Sequence, residues 1–234
     1  MTPAGTIPLI LRAALAAWAA LVCGCAGPVF RDRVVTPGPA PSPQALEQAS
    51  RTLAGLYPAH YRAVQRAIIM AGGKQFACDG VLDASPETGW RLAVVSALGL
   101  VCETRIAPSG AVALPRITPL MREEWSRQFV AETVRLLFVP QTGASYEGRL
   151  ADGRLVFSVR DDAGGPAVRY IFDASGSRLE EAQTLRRGKP LWQARFRDYR
   201  LASGHPTPVP FAFDADAAAC RIELRTVDWK AGRP

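Results

Sequence analysis

Two histidines, His60 and His205, and a few carboxylate pairs are the side chains with which this chain could move protons or hold a metal. Neither histidine has a second histidine or a cysteine at ligand spacing, which argues against a zinc site. Asp161-Asp162 and Asp214/Asp216 have the closeness that acid–base chemistry needs. Each pair sits beside a glycine- or alanine-rich turn, however, where aspartate serves turn geometry. A thiolate from Cys102 or Cys220 activated by His60 has no support in the local sequence. There is no G-x-S-x-G elbow, no phosphate-binding glycine loop and no dinucleotide fingerprint after a strand. The expectation is a non-enzymatic protein with no cofactor and no metal.

One cysteine does point to covalent chemistry. In "MTPAGTIPLILRAALAAWAALVCGC" the only cation, Arg12, precedes an apolar run from Ala13 to Val22. That run is too short for a transmembrane helix and has signal-peptide length. It ends in Val22-Cys23-Gly24-Cys25, which resembles the box of bacterial lipoproteins, with Cys25 as the lipidated residue. In such lipoproteins an Ala26 rather than Asp implies release to the outer membrane. An ordinary cleaved signal peptide or an uncleaved anchor is the alternative. Loss of Arg12 with residues 1–24 lowers the formal charge from +7 to +6. That surplus suits anionic headgroups or an acidic protein, and export together with scattered cations argues against nucleic acid. Cys78, Cys102 and Cys220 remain, either with one pair in a disulfide or all three as small buried hydrophobes.

The elements that must position these residues follow from periodicity. Residues 26–43, "AGPVFRDRVVTPGPAPSP", read as an extended proline-rich tether. Ser42 and Pro43 start a helix with Leu46, Ala49, Leu53 and Leu56 on one stripe. The segment "AHYRAVQRAIIMA" reads as a second helix ended by Gly72-Gly73, and Pro119 to Val139 as a third, whose end "TVRLLFV" also fits a strand. From Gln75 the period is two. "QFACDGVLDA", "WRLAVVS", "LVCETRIA" and "AVALPRI" alternate, as do "RLVFSVRD", "AVRYIFDA", "SRLEEAQTLRR", "PLWQARFRDYR", "PVPFAFDA" and "CRIELRTVDW". The last changes parity near Thr226, which implies a bulge or strand end there. So many one-sided strands imply an α+β fold: a strongly curved antiparallel sheet forming a half-open β-barrel, with helices covering or plugging its concave face. Phe157, Tyr170, Phe172, Trp192, Phe196, Phe211 and Leu224 share one face and are the candidate walls of an apolar cavity.

In order and spacing, "FACDGVLDA", "WRLAVVSALG", "YIFDASGSRLEEAQTLRRGKPLWQARFRDYR", "PTPVPFAF" and "IELRTVDW" resemble the LolA/LolB superfamily of periplasmic lipoprotein carriers. The likeness is closer to LolB and runs from Phe76 to Trp229. Ala97 stands where that family often has proline, and "REEWSRQFVAETVRLLFVP" matches poorly. The resemblance implies residues 1–24 as signal peptide, 25–43 as lipidated cysteine and tether, and 44–230 as the half-barrel domain. It also implies acyl-chain and lipoprotein binding and insertion at the inner leaflet of the bacterial outer membrane, facing the periplasm. The partners would be outer-membrane lipids, acylated lipoproteins or other lipid cargo, and a periplasmic LolA-like carrier. Leu98 falls on the protruding leucine that passes acyl chains to the membrane, which would explain a leucine at a turn tip. The alternatives are an envelope interaction lipoprotein with a filled core, or a carrier of another lipid.

Overall fold

The computed structural model describes residues 35–71, 74–97, 99–109, 111–117, 123–139, 141, 143–160, 166–202, 205–217 and 220–232. Cys25 and Leu98 lie outside the described residues, as do Asp161 and Asp162. The elements run α1 (Pro43–Ala54), β1 (Tyr61–Ala71), β2 (Lys74–Ser85), β3 (Gly89–Ser96), β4 (Gly99–Ile106), β5 (Val112–Ile117) and α2 (Glu123–Phe138). There follow β6 (Ser145–Arg149), β7 (Leu155–Arg160), β8 (Pro166–Phe172), β9 (Leu179–Arg186), β10 (Lys189–Leu201), β11 (Pro208–Ala217) and β12 (Cys220–Ala231).

All the strands join one antiparallel 12-stranded sheet in the order β5-β4-β3-β2-β1-β12-β11-β10-β9-β8-β7-β6. The first and last strands pair at its centre, and β5 and β6 are left as edges. Yet Cys102 and Ile106 of β4 share one buried cluster with Leu155 and Phe157 of β7. Strands so far apart in the order reach one core only if the sheet curls round it. Helix α2 touches β4 and β5 near one edge and β9 and β10 in the other half, so it lies across the gap between them. The fold is thus mostly β, an open barrel-like sheet with, among the described residues, two helices rather than the three expected there.

The missing helix is β1. Residues 59–71 were expected to be helical, but Tyr61–Ala71 is a central strand paired along its whole length with β2. The helical impression came from alanines. Ala63 is fully buried opposite Trp229, whose indole stacks on the Tyr61 ring at 4.6 Å. A small side chain leaves room for these two rings, and Gly72-Gly73 joins β1 to β2 instead of ending a helix. The parity change near Thr226 is real. The β1–β12 register shifts so that Val227 is extra and exposed, while Thr226 and Trp229 both point inward.

Helix α1 starts where Ser42 and Pro43 place it, with the Ser42 Oγ accepting from the Ala45 N–H at 3.2 Å. It buries Ala49 and Leu53 and rests on the β8–β9 turn. Gly176 in that turn has φ +76°, and a Cβ there would lie 2.6 Å from the Ala45 carbonyl oxygen. The end of the tether is docked as well. Thr36 and Arg149 exchange backbone hydrogen bonds of 2.9 and 3.1 Å along the β6 edge. Val35 covers a small outer cluster of Leu150, Val156 and Ile171. Gly148 permits this approach, since a Cβ would come within 2.6 Å of the Thr36 carbonyl oxygen. The described core, from Ala45 to Trp229, and the two described helices, Pro43–Ala54 and Glu123–Phe138, all lie within the chain from Val35 onward.

Candidate functional site

At the end of the half-barrel beneath α1, six aromatic side chains from separate elements of the chain converge. Tyr57 follows α1, Tyr61 opens β1, Trp90 opens β3, Phe138 ends α2, and Phe157 and Phe172 come from β7 and β8. They line a cavity of about 610 Å³ whose other walls are Ala49, Leu53 and Ala54 of α1 and the segment around Ala144. This volume falls within the range of small-molecule pockets. The wall is mainly apolar, with Ser50, Ser85 and Gln141 as polar exceptions.

The rings hold one another. Tyr57 stacks on Tyr61 at 5.5 Å and meets Phe138 at 5.8 Å, and Phe157 stands edge-on to Phe172 at 5.4 Å. Such pairs contribute about 0.5–1.5 kcal/mol each beyond the area they bury. Hydrogen bonds tie the helix end and its following loop to this wall. The Tyr57 hydroxyl donates to the Leu137 carbonyl at 2.7 Å, and the Gln141 N–H donates to the Tyr170 hydroxyl at 2.8 Å. Burial pushes the Tyr170 phenol up to about 12, the Gln141 contact offsetting part of the rise. Burial likewise raises Tyr57 well above the ordinary tyrosine range. Both phenols stay neutral, as an apolar site requires.

The seven aromatic and aliphatic residues singled out by alternation all lie in or against the main core. Phe157 and Phe172 reach the cavity wall. Tyr170 and Phe196 are buried in the core beside it, and Trp192, Phe211 and Leu224 are half-buried against that core. The cavity residues that alternation missed are Tyr57, Tyr61, Trp90 and Phe138. Tyr57-Pro58 just past an amphipathic helix and Trp90 just past a glycine turn were their only local signals.

The polar candidates are placed apart. His205 Nε2 lies 3.0 Å from the Gly55 carbonyl oxygen, and His60 lies 3.7 Å from Glu87 on a shallow polar cleft of about 430 Å³. The cations of that cleft each face a carboxylate: Arg62 with Asp83, Arg91 with Glu103, and Lys230 with Asp228. Asp214 pairs with Arg197 and Asp216 with Arg221, both in β11 rather than in a turn. Cys78, Cys102 and Cys220 are free thiols, and burial raises all three, Cys78 to about 11. Among the described residues, no group of three His, Cys, Asp or Glu side chains could hold a metal ion, and no helix is long and apolar enough to cross a membrane.

No protein-family profile and no curated protein sequence matches the chain. Solved structures do. A LolA-superfamily protein from Nitrosomonas europaea is 13% identical, with 84% of this chain and 96% of that chain covered at a TM-score of 0.51. A DUF1329-family protein from Desulfovibrio piger is 9% identical, with 80% of this chain and 91% of that chain covered, also at 0.51. The likeness is one of fold. It agrees with the fold that the resemblance of the strand motifs implies.

Proposed function

We propose that this half-barrel of LolA-superfamily fold is an acyl-chain-binding lipoprotein. Cys25 anchors it in the inner leaflet of the bacterial outer membrane, where it accepts lipoproteins from a periplasmic carrier and inserts them. The observation that carries this reading is the aromatic cavity of about 610 Å³ between α1, α2 and the sheet. A flexible alkyl chain needs an apolar lining with few polar groups, which is what Tyr57, Tyr61, Trp90, Phe138, Phe157 and Phe172 supply. Leu98, at the β3–β4 tip, enters the bilayer during release, its charge-free side chain costing little there.

The experiment is native mass spectrometry and fluorescent fatty-acid titration of the domain from Val35 onward. Binding that an acylated peptide displaces supports the reading. No bound lipid and no probe binding far above micromolar concentration overturns it. The second reading, an envelope protein with a filled core, would then hold, and it is favoured by the burial of Tyr170 and Phe196 against their neighbours. In the full chain, Cys25→Ser should leave the precursor unprocessed or outside the outer-membrane fraction. Leu98→Glu should keep probe binding and lose transfer to liposomes.

A further inference from the structure

Antiparallel order sends the connections β1–β2, β3–β4, β7–β8, β9–β10 and β11–β12 to one end of the half-barrel, opposite the end that carries the β2–β3 and β8–β9 turns. The β9–β10 tip at that end is unusual. Its turn is Arg187-Gly188 between the paired Arg186 and Lys189, and all four residues are exposed. Both turn residues have positive φ, +53° for Arg187 and +76° for Gly188. A two-residue hairpin loop of this kind favours Asn or Asp at its first position, because the left-handed region costs an L-residue about 1–2 kcal/mol, which their short side chains offset by hydrogen-bonding locally. A cation here therefore occupies a strained position that short polar residues fill more easily.

Three further observations bear on what the tip meets. Among the described residues, Arg186, Arg187 and Lys189 make no ion pair. Next, a shift in register between Pro190 and Trp192 makes Leu191 a bulged residue, 38% exposed just behind the cations. Finally, the same end of the barrel carries Val95 and Leu100, paired to each other beside the β3–β4 tip and 40% and 37% exposed, and Phe76 at 40% on the adjacent strand. A basic tip with an exposed aliphatic side chain just behind it, at an end of the barrel that carries other exposed apolar side chains, has the pattern that seats a protein in a headgroup layer.

We propose that the β9–β10 tip is a second membrane-docking point, with Arg186, Arg187 and Lys189 binding anionic phospholipid headgroups and Leu191 entering below them. The β3–β4 tip lies six strands away in the curled sheet, so the two tips touch the bilayer at separate points. Two contacts fix the tilt of the barrel, which one tip alone would leave free. This inference rests on the acyl-carrier reading for its purpose but not for its measurement.

The test is sedimentation of the domain from Val35 onward with phosphatidylglycerol-containing vesicles and with pure phosphatidylcholine vesicles. The wild-type domain should favour the anionic vesicles, and added salt should weaken binding. The R186E/R187E/K189E variant should lose affinity by about a hundredfold or more, since each basic contact near an anionic surface is a large factor. Its unfolding temperature and fatty-acid probe binding should be unchanged, because the tip is exposed and remote from the cavity. Leu191→Asp should lower binding severalfold with the cations intact. Equal binding by wild type and the triple variant overturns the proposal, as does a wild-type domain indifferent to lipid charge. The latter would turn the tip towards an acidic protein instead. Vesicle binding without fatty-acid binding would keep the docking point and remove the carrier reading.

Discussion

Truncating Phe172 to alanine should weaken the fold and enlarge the site at once. The ring is 1% exposed, stands 5.4 Å edge-on to Phe157, and forms part of the cavity wall. Removing a buried phenylalanine costs about 3–5 kcal/mol, from lost transfer energy and from space the neighbours cannot refill. At roughly 2–4 °C per kcal/mol for a domain of this size, the unfolding temperature should fall by about 6–20 °C. A ligand that fills the cavity offsets part of this, by about 2.7 kcal/mol at a hundred times its dissociation constant. Calorimetry of both proteins, with and without a long-chain fatty acid, measures the two quantities separately. A fall below about 3 °C would mean that the ring is not packed as described. The expected fall with no ligand shift in either protein would sink the occupied-cavity reasoning. A charge at Phe172 is the wrong probe for the same reason, because a carboxylate at a closed position unfolds the domain before it reports on binding.

Gly176→Val should destabilise by about 2 kcal/mol or more, since the left-handed backbone disfavours a branched side chain and its Cβ meets the Ala45 carbonyl; hydrogen exchange should rise first in α1. Tyr57→Phe should cost about 1 kcal/mol through the lost bond to the Leu137 carbonyl, read from denaturant midpoints. Burial raises the Cys78 thiol from 9.0 to about 11, so the folded state holds its proton while the unfolded chain releases it. Stability from this group is therefore complete below pH 9.0 and declines as the pH rises towards 11, as chemical denaturation across that range should show. The same protection predicts that an alkylating reagent at neutral pH labels the three thiols far more slowly in the folded than in the unfolded protein.

Strands such as β10 could be read from sequence because large inward residues alternate with charged outward ones. Phe196 against Arg195 and Arg197 leaves one workable face. β1 defeated the same reasoning. Its inward positions include Ala63, Gln65 and Ala67, and a strand lined by alanines under stacked rings has no apolar contrast to display. The site was only half legible for a different cause. Alternation names a face, and a filled core and a cavity wall use the same face. What separates Phe172 from Phe196 is the place where α1 and the end of α2 fail to fill the space above the sheet. Tyr57 and Phe138 reach that place from helix ends, where period-two reasoning is silent.

The docking of Val35 and Thr36 on β6 also sets a length. With Cys25 as the anchor, a tether loose as far as Ser42 would have 17 residues and reach about 60 Å. Clamped at Val35, it has 10 and reaches about 36 Å. The volume open to the domain shrinks with the cube of that reach, by roughly fivefold, and the effective concentration of its basic and aliphatic tips at the bilayer rises in proportion. A headgroup contact of moderate strength in the free domain then becomes far more persistent in one held on so short a leash. Under the proposed function the same leash would forbid travel, so cargo would have to be delivered to the domain, and Gly148, by letting the strap lie down, would set how near to the membrane the hand-over takes place.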